Sequence, residues 1–207
     1  MVQTAAVSSG RSFEKKRVIL EAASRVFRRR GLHATGMREI ARELGMHVGN
    51  LYYYFENKQA LLAFCQEDAL DGLLDLVAST RRERLAPEEA LRRLVVGHVV
   101  LLNERTPGSL AHLEIEALGP PWRAAIQRRR DAYQQAYRDL IRQGIADGRL
   151  RSIDPDAAAM AILGALNWTV KWFRPEGARS AESIGREFAE ILVGGLEIPD
   201  RDSREAA

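Results

Sequence analysis
A single cysteine, Cys65, is all that 207 residues supply. No intramolecular disulfide can form, so neither a secreted disulfide scaffold nor a cysteine-rich zinc module can be built, and a reducing cytoplasm fits best. No apolar run approaches the roughly 20 residues that span a bilayer. The amino end, MVQTAAVSSGRS, lacks the apolar centre of a signal peptide. Glycine and proline are sparse, with no Gly/Ser linker and no internal repeat. Alternating strand patterns and hairpin turns are missing, as are a nucleophile elbow, a phosphate loop and a dinucleotide fingerprint. Apolar residues nevertheless make up 46% of the chain and charged ones 29%, the balance of a folded protein rather than a disordered one.

What is present is helical periodicity along almost the whole length, so the fold class is all-α with about nine helices. Ile19, Ala22, Ala23, Val26 and Phe27 form one apolar stripe from about Ser12 to Arg30, closed by Gly31. A short helix is expected after Thr35 as N-cap, carrying Met37, Ile40, Ala41 and Leu44. Gly45 stops it, another runs from about His47 to Tyr54, and Asn57 caps the next. Further helices are expected from Pro87, around Leu110 to Ala117, from Pro121, from Asp154-Pro155 to about Phe173, and from Ser180. Residues 1–12 and 199–207 read as flexible tails. Charge is uneven: residues 1–60 hold 11 Lys/Arg against 5 Asp/Glu, the remainder 20 against 23. A basic head on a mildly acidic body suggests that the head meets a polyanion.

The stretch IARELGMHVGNLYYYFENKQALL, Ile40 to Leu62, sharpens that suggestion. Two short helices joined through a glycine turn form a helix-turn-helix, whose second helix enters the DNA major groove. Gly49 removes a side chain where backbone can approach a base or phosphate. Leu51 and Phe55 anchor the helix inward and leave Val48, Asn50, Tyr53 and Tyr54 outward or at the rim. A tyrosine can pack its ring on protein while its hydroxyl reaches a phosphate. Asn57 and Lys58 add an amide and a cation beside the next helix N-terminus, itself an anion site.

Residues 19 to 62, with the order Gly-x-x-x-Gly-x-Leu-Tyr-x-x-Phe followed by Lys and Leu-Leu, resemble the TetR family of bacterial transcriptional regulators. The resemblance implies a three-helix DNA-binding domain, placed at 13–60, and a ligand-binding, dimer-forming body, placed at 61–198. It implies a double-stranded operator, a small-molecule effector and a homodimer as partners, with no catalysis, cofactor, metal or membrane. Arg38, Val48, Gly49 and Asn50 match base-contacting positions of the family, and Thr35, Tyr52, Tyr54 and Lys58 match phosphate-contacting ones. His47 stands where the family usually has a serine or threonine cap, and Tyr54 where it usually has histidine. With Tyr53 these complete the expected DNA-binding set.

In the body, NWTVKWFRPEG resembles a TetR subgroup that senses acyl-CoA thioesters. Trp122, Tyr133, Tyr137 and Trp168 are bulky residues on inward stripes and are the expected wall of an effector pocket. Lys171 and Arg174 either meet CoA phosphates or flank a dimer interface as surface charges. The helix carrying Trp168 and Trp172 is apolar on several faces, so a second chain is its natural cover. Ala161, Trp172, Ile184, Phe188 and Ile191 are the expected interface. His98 lies within an apolar stripe as a core or pocket histidine, His112 with Glu114 and Glu116 is a weak metal motif, and Cys65 reads as a packing residue. Two rival readings stand beside the regulator: an all-α enzyme acting on a small molecule, and an effector-independent architectural DNA binder.

Overall fold
The computed structural model describes residues 3–106 and 109–198, with side chains from Phe13 onward. Eight α-helices occur among them: α1 (Gln3–Arg30), α2 (Met37–Glu43), α3 (Val48–Tyr54), α4 (Lys58–Glu83), α5 (Pro87–Val100), α6 (Pro120–Ala146), α7 (Pro155–Trp172) and α8 (Ala181–Leu192). The β structure among the described residues is one isolated bridge, Leu150 to Glu197. Most of the expected amino-terminal tail is helical backbone of α1, and the expected tail at 199–207 lies outside the described residues. No described helix is long and apolar enough to cross a membrane.

The chain forms two compact units. The first comprises Met1–Ala69 and Thr106–Gln127, and so exceeds the 13–60 segment by the first turns of α4 and by a returning segment. Its core is the stripe foreseen on α1, with Ile40 and Ala41 of α2, Leu51 of α3 and Phe55 all buried. Gly45, at φ +64, makes the turn between α2 and α3, a conformation costly for residues with a Cβ. Asn57 caps α4, its Oδ1 accepting from the Ala60 N–H at 2.9 Å. Thr35 does not cap α2. Its hydroxyl donates to the Gly31 carbonyl at 2.8 Å, and Gly36 is the cap residue, its N–H bonded to Glu39. The helix expected around Leu110 to Ala117 is two 3-10 turns, Ser109–Leu113 and Ile115–Ala117. Side chains take its carbonyls instead: Gln66 donates to Glu114, and Arg123 to Glu116 and Leu118.

The second unit, Leu70–Arg105 with Arg128–Ala207, is built on α5 and α8, which pack extensively. Gly185 permits the approach, since a Cβ there would lie 2.9 Å from Val96 Cα. Asp154 and Ser180 cap α7 and α8 by accepting from Asp156 and Ser183 N–H groups. After Val100 the helix continues as a π-helical turn, Leu101–Arg105, which periodicity does not disclose.

Candidate nucleic-acid interface
The first unit presents α3 by fixing its other side. Leu51 is fully buried, while Gly49, Asn50, Tyr52 and Tyr53 are exposed, Tyr53 to 84%. His47 is the exposed N-cap, without a side-chain capping bond, and Val48 and Tyr54 are half-buried at the rim. The Tyr53 and Tyr54 rings meet edge to face at 5.2 Å. Arg38 is exposed on α2. The helix VGNLYYY contains no carboxylate, so its outward face opposes no phosphate by charge.

Two of the expected contacts are altered by the structure. Thr35 is only 1% exposed and its proton is committed to Gly31, so it leaves the outward set. Lys58 is half-buried, and its ammonium donates to the Leu32 carbonyl at 2.6 Å. Partial burial lowers its pKa. Lys58 therefore ties the start of α4 to the loop after α1, and two of its three protons remain for an anion. Periodicity also gives no hint of Glu43, which accepts from Arg25 at 3.0 Å and pairs with Arg29. Those bonds hold its carboxyl below the usual range and fix α2 against α1, so part of the RRR run is structural. Lys16 stands over the Phe55 and Phe64 rings at 5.5 and 5.2 Å.

In the second unit, Tyr133 and Tyr137 are buried together, as their stripe implied, and their hydroxyls lie 3.1 Å apart. Tyr133 is also 3.1 Å from His98 Nδ1. Burial pushes both phenols upward and pulls His98 down to about 3. Trp122 is half-buried in the first unit and is not part of that cluster. Trp168 is not a wall residue: it is 59% exposed, because it shares a four-residue repeat on α7 with exposed Met160, Gly164 and Trp172. Lys171 and Arg174 are exposed too, and Arg174 donates to its neighbour's carbonyl. Ala161 lies on the exposed side, Trp172 meets the half-buried Phe188 at 6.3 Å, and Ile191 is 69% exposed. Ile184 departs from the expected interface. It is 4% exposed because α8 turns that side toward its own chain. A separate open groove of about 730 Å³ runs over Leu76, Val96 and Val100 between Arg92, Arg105 and Arg186. Among the described residues no trio of His, Cys, Asp or Glu converges as a metal site.

Comparison with known proteins matches two successive stretches of the chain. Residues 19–64 match the bacterial regulatory proteins of the tetR family, and residues 84–196 match the tetracyclin repressor-like C-terminal domain. The HTH-type transcriptional repressor KstR2 of Mycolicibacterium smegmatis is 28% identical over 181 residues, 86% of this chain and 88% of that protein. The TetR family transcriptional regulator PfmR of Thermus thermophilus has the same fold at a TM-score of 0.78 and 33% identity, covering 87% of this chain and 99% of that one. AibR, solved with isovaleryl coenzyme A and operator DNA, gives a TM-score of 0.75 at 30% identity, covering 89% and 99%. With its head and body each matched in order and a carboxylate-free helix turned outward, the chain belongs to the tetR family of bacterial regulatory proteins and is a DNA-binding regulator of transcription.

Proposed function
We propose that the protein is a cytoplasmic, homodimeric repressor that holds a two-fold operator through its paired α3 helices and releases it when an acyl-CoA thioester binds the body. The observation that carries the reading is the outward face of α3, where Gly49, Asn50, Tyr52 and Tyr53 are exposed and no carboxylate is present. Asn50 and Arg38 supply the hydrogen-bonding groups suited to base edges, and the tyrosines and Lys58 supply phosphate contacts. The exposed apolar stripe of α7 with Ile191 of α8 is the surface that a second copy covers.

A thioester effector is supported by AibR, whose structure contains isovaleryl coenzyme A. Only an acyl group gains much from an apolar interior, so the charged nucleotide of CoA stays at the surface. Because α4 runs through both units, an effector that fits one arrangement of the body biases the heads through a continuous helix. Binding free energies are reciprocal, so operator DNA must weaken the effector by the factor that the effector weakens DNA. The test is titration of CoA thioesters and their free acids into an operator complex while release is followed. Release by thioesters alone is expected. Equal action by free acids, or no release at micromolar thioester, rejects the acyl-CoA assignment, and loss of specific DNA binding altogether rejects the repressor.

A further inference from the structure
We infer that the second unit holds a further ligand site, a pocket between the last turns of α4, the first half of α5 and the second half of α6. Its ligand is a small free carboxylic acid, bound as the carboxylate at Arg81 and Arg84 with its apolar tail inside. This site is separate from the thioester reading above and stands or falls on its own.

The pocket has a volume of about 280 Å³, and all of its lining belongs to the second unit. That is near the lower end for small-molecule sites, about 300 to 1,000 Å³, so a short or compact ligand is called for. Most of the wall is apolar. Val77 of α4, Leu94 of α5 and Ala136 of α6 are buried there, and Leu85 and Leu140 are half-buried. Neither Tyr133 nor Tyr137 lines it, so the pocket is distinct from the phenol cluster. An apolar tail placed inside would leave water for contact with these side chains, which favours binding in proportion to the area covered.

Charge sets the rest of the ligand. The lining holds two guanidinium groups, those of Arg81 and Arg84, and no carboxylate. Both arginines are exposed, and neither side chain has a hydrogen bond or ion pair among the described residues. Glu83, the acid next to Arg84 in the chain, is taken by Arg93 at 2.6 Å. The larger groove over Val96 differs in this respect, because its Arg92 and Arg186 are already paired with Glu190 and Glu182. Backbone geometry singles out Arg84 as well. At φ +52 it is the one non-glycine residue in the left-handed region among the described residues, and it directly follows α4, where glycine is the ordinary choice. A residue with a Cβ is less stable there than glycine, and backbone strain of this kind collects at ligand sites. What the arginine adds in return is a cation at the pocket. Its planar fork of N–H donors matches the two oxygens of a carboxylate.

The test uses the full-length protein and straight-chain carboxylates of four to ten carbons, each beside its primary amide and its alkylammonium analogue. Affinity and stoichiometry are read by calorimetry. At least one carboxylate should bind at one per chain and at least tenfold tighter than its amide, with the ammonium ion weaker still. Arg84→Gly should lower that affinity at least tenfold while leaving the melting temperature unchanged or raised, because glycine suits the backbone at φ +52. Arg81→Gln, at a position with helical backbone, should lower the affinity too and provides a second reading if Arg84→Gly does not fold. Absence of binding by every acid, or equal binding of acid and amide, overturns the inference. So does binding at many per chain, or an affinity that neither variant lowers. A carboxylate that a CoA thioester displaces competitively would place both in one pocket and overturn it as well. Failure of thioesters to release the operator rejects the reading above and leaves this one standing.

Discussion

Burial decides the chemistry of His98, and the sign of its effect on stability follows. The folded protein keeps this imidazole neutral down to about pH 3, whereas in the unfolded chain it takes a proton near 6.5. Below pH 6.5 the unfolded state therefore binds more protons, and stability present at neutral pH is lost progressively as pH falls toward 3. By pH 5 this amounts to about 2 kcal/mol. Urea unfolding of wild type and His98→Phe at pH 7 and pH 5, at fixed protein concentration, should show the wild type losing that much more than the variant. Parallel losses would place the titration elsewhere. On the head, Arg38→Ala and Asn50→Ala should each cost about 1 to 3 kcal/mol on the operator and much less on random DNA, because base contacts discriminate and phosphate contacts position. Lys58→Ala should weaken both DNAs and lower the salt slope by about one. Its bond to the Leu32 carbonyl adds an expectation that sequence could not supply, a loss of fold stability on the order of 1 kcal/mol. Filter binding across salt concentrations and thermal unfolding check the two parts, and an unchanged slope would remove Lys58 from the phosphate contacts.

Among the elements, α3 is the most legible in the sequence, because a seven-residue helix with Leu51 inward has few ways to present the rest. Gly45, Leu51 and Phe55 take the expected places, and Gly49, Asn50, Tyr52 and Tyr53 stand outward. Periodicity names a buried face but not the partner a polar group will choose. Thr35 departs from expectation for that reason: a hydroxyl ahead of a helix can cap it or turn back, and here it takes the carbonyl of Gly31. The π-helical turn is hidden because its Asn103 bonds to Thr169, 66 residues away. Trp168 departs because a helix apolar on several faces gives no single inward direction, although the repeat Met160, Gly164, Trp168, Trp172 is there to be seen. Gly49 allows fold and function to be separated. A Cβ at this position would meet no atom within 4 Å, and alanine favours a helix over glycine by about 1 kcal/mol. Gly49→Ala should leave the melting temperature unchanged or raised, yet reduce operator affinity at least tenfold, since the added methyl intrudes only where DNA approaches. Full operator affinity in this variant would mean that the backbone at Gly49 does not closely approach the groove.

At the scale of the whole molecule, the proposed dimer would cover the exposed apolar surface of α7. Met160, Trp168 and Trp172 are exposed along one line, with Ile191 of α8 exposed nearby in the unit, a larger apolar display than a monomer usually keeps in water. Gly164 lies on the same line. In the middle of an exposed helix a glycine costs about 1 kcal/mol relative to alanine, and here its Cβ position is empty to 4 Å, so the single chain gains nothing from it. A closely approaching helix from another copy would. The two-fold relation that such an interface imposes is also what two α3 helices need to meet two half-sites on one operator. Gly164→Glu tests this cleanly, because the isolated subunit has room for the side chain and should fold with its helicity intact. In a dimer the carboxylate would be buried without a partner, at a cost of several kcal/mol. Sedimentation should then show a monomer at concentrations where wild type is a dimer, and operator affinity should drop with it, since each head alone holds only half the site. A Gly164→Glu protein that remains dimeric and holds its operator would move the interface away from this face of α7.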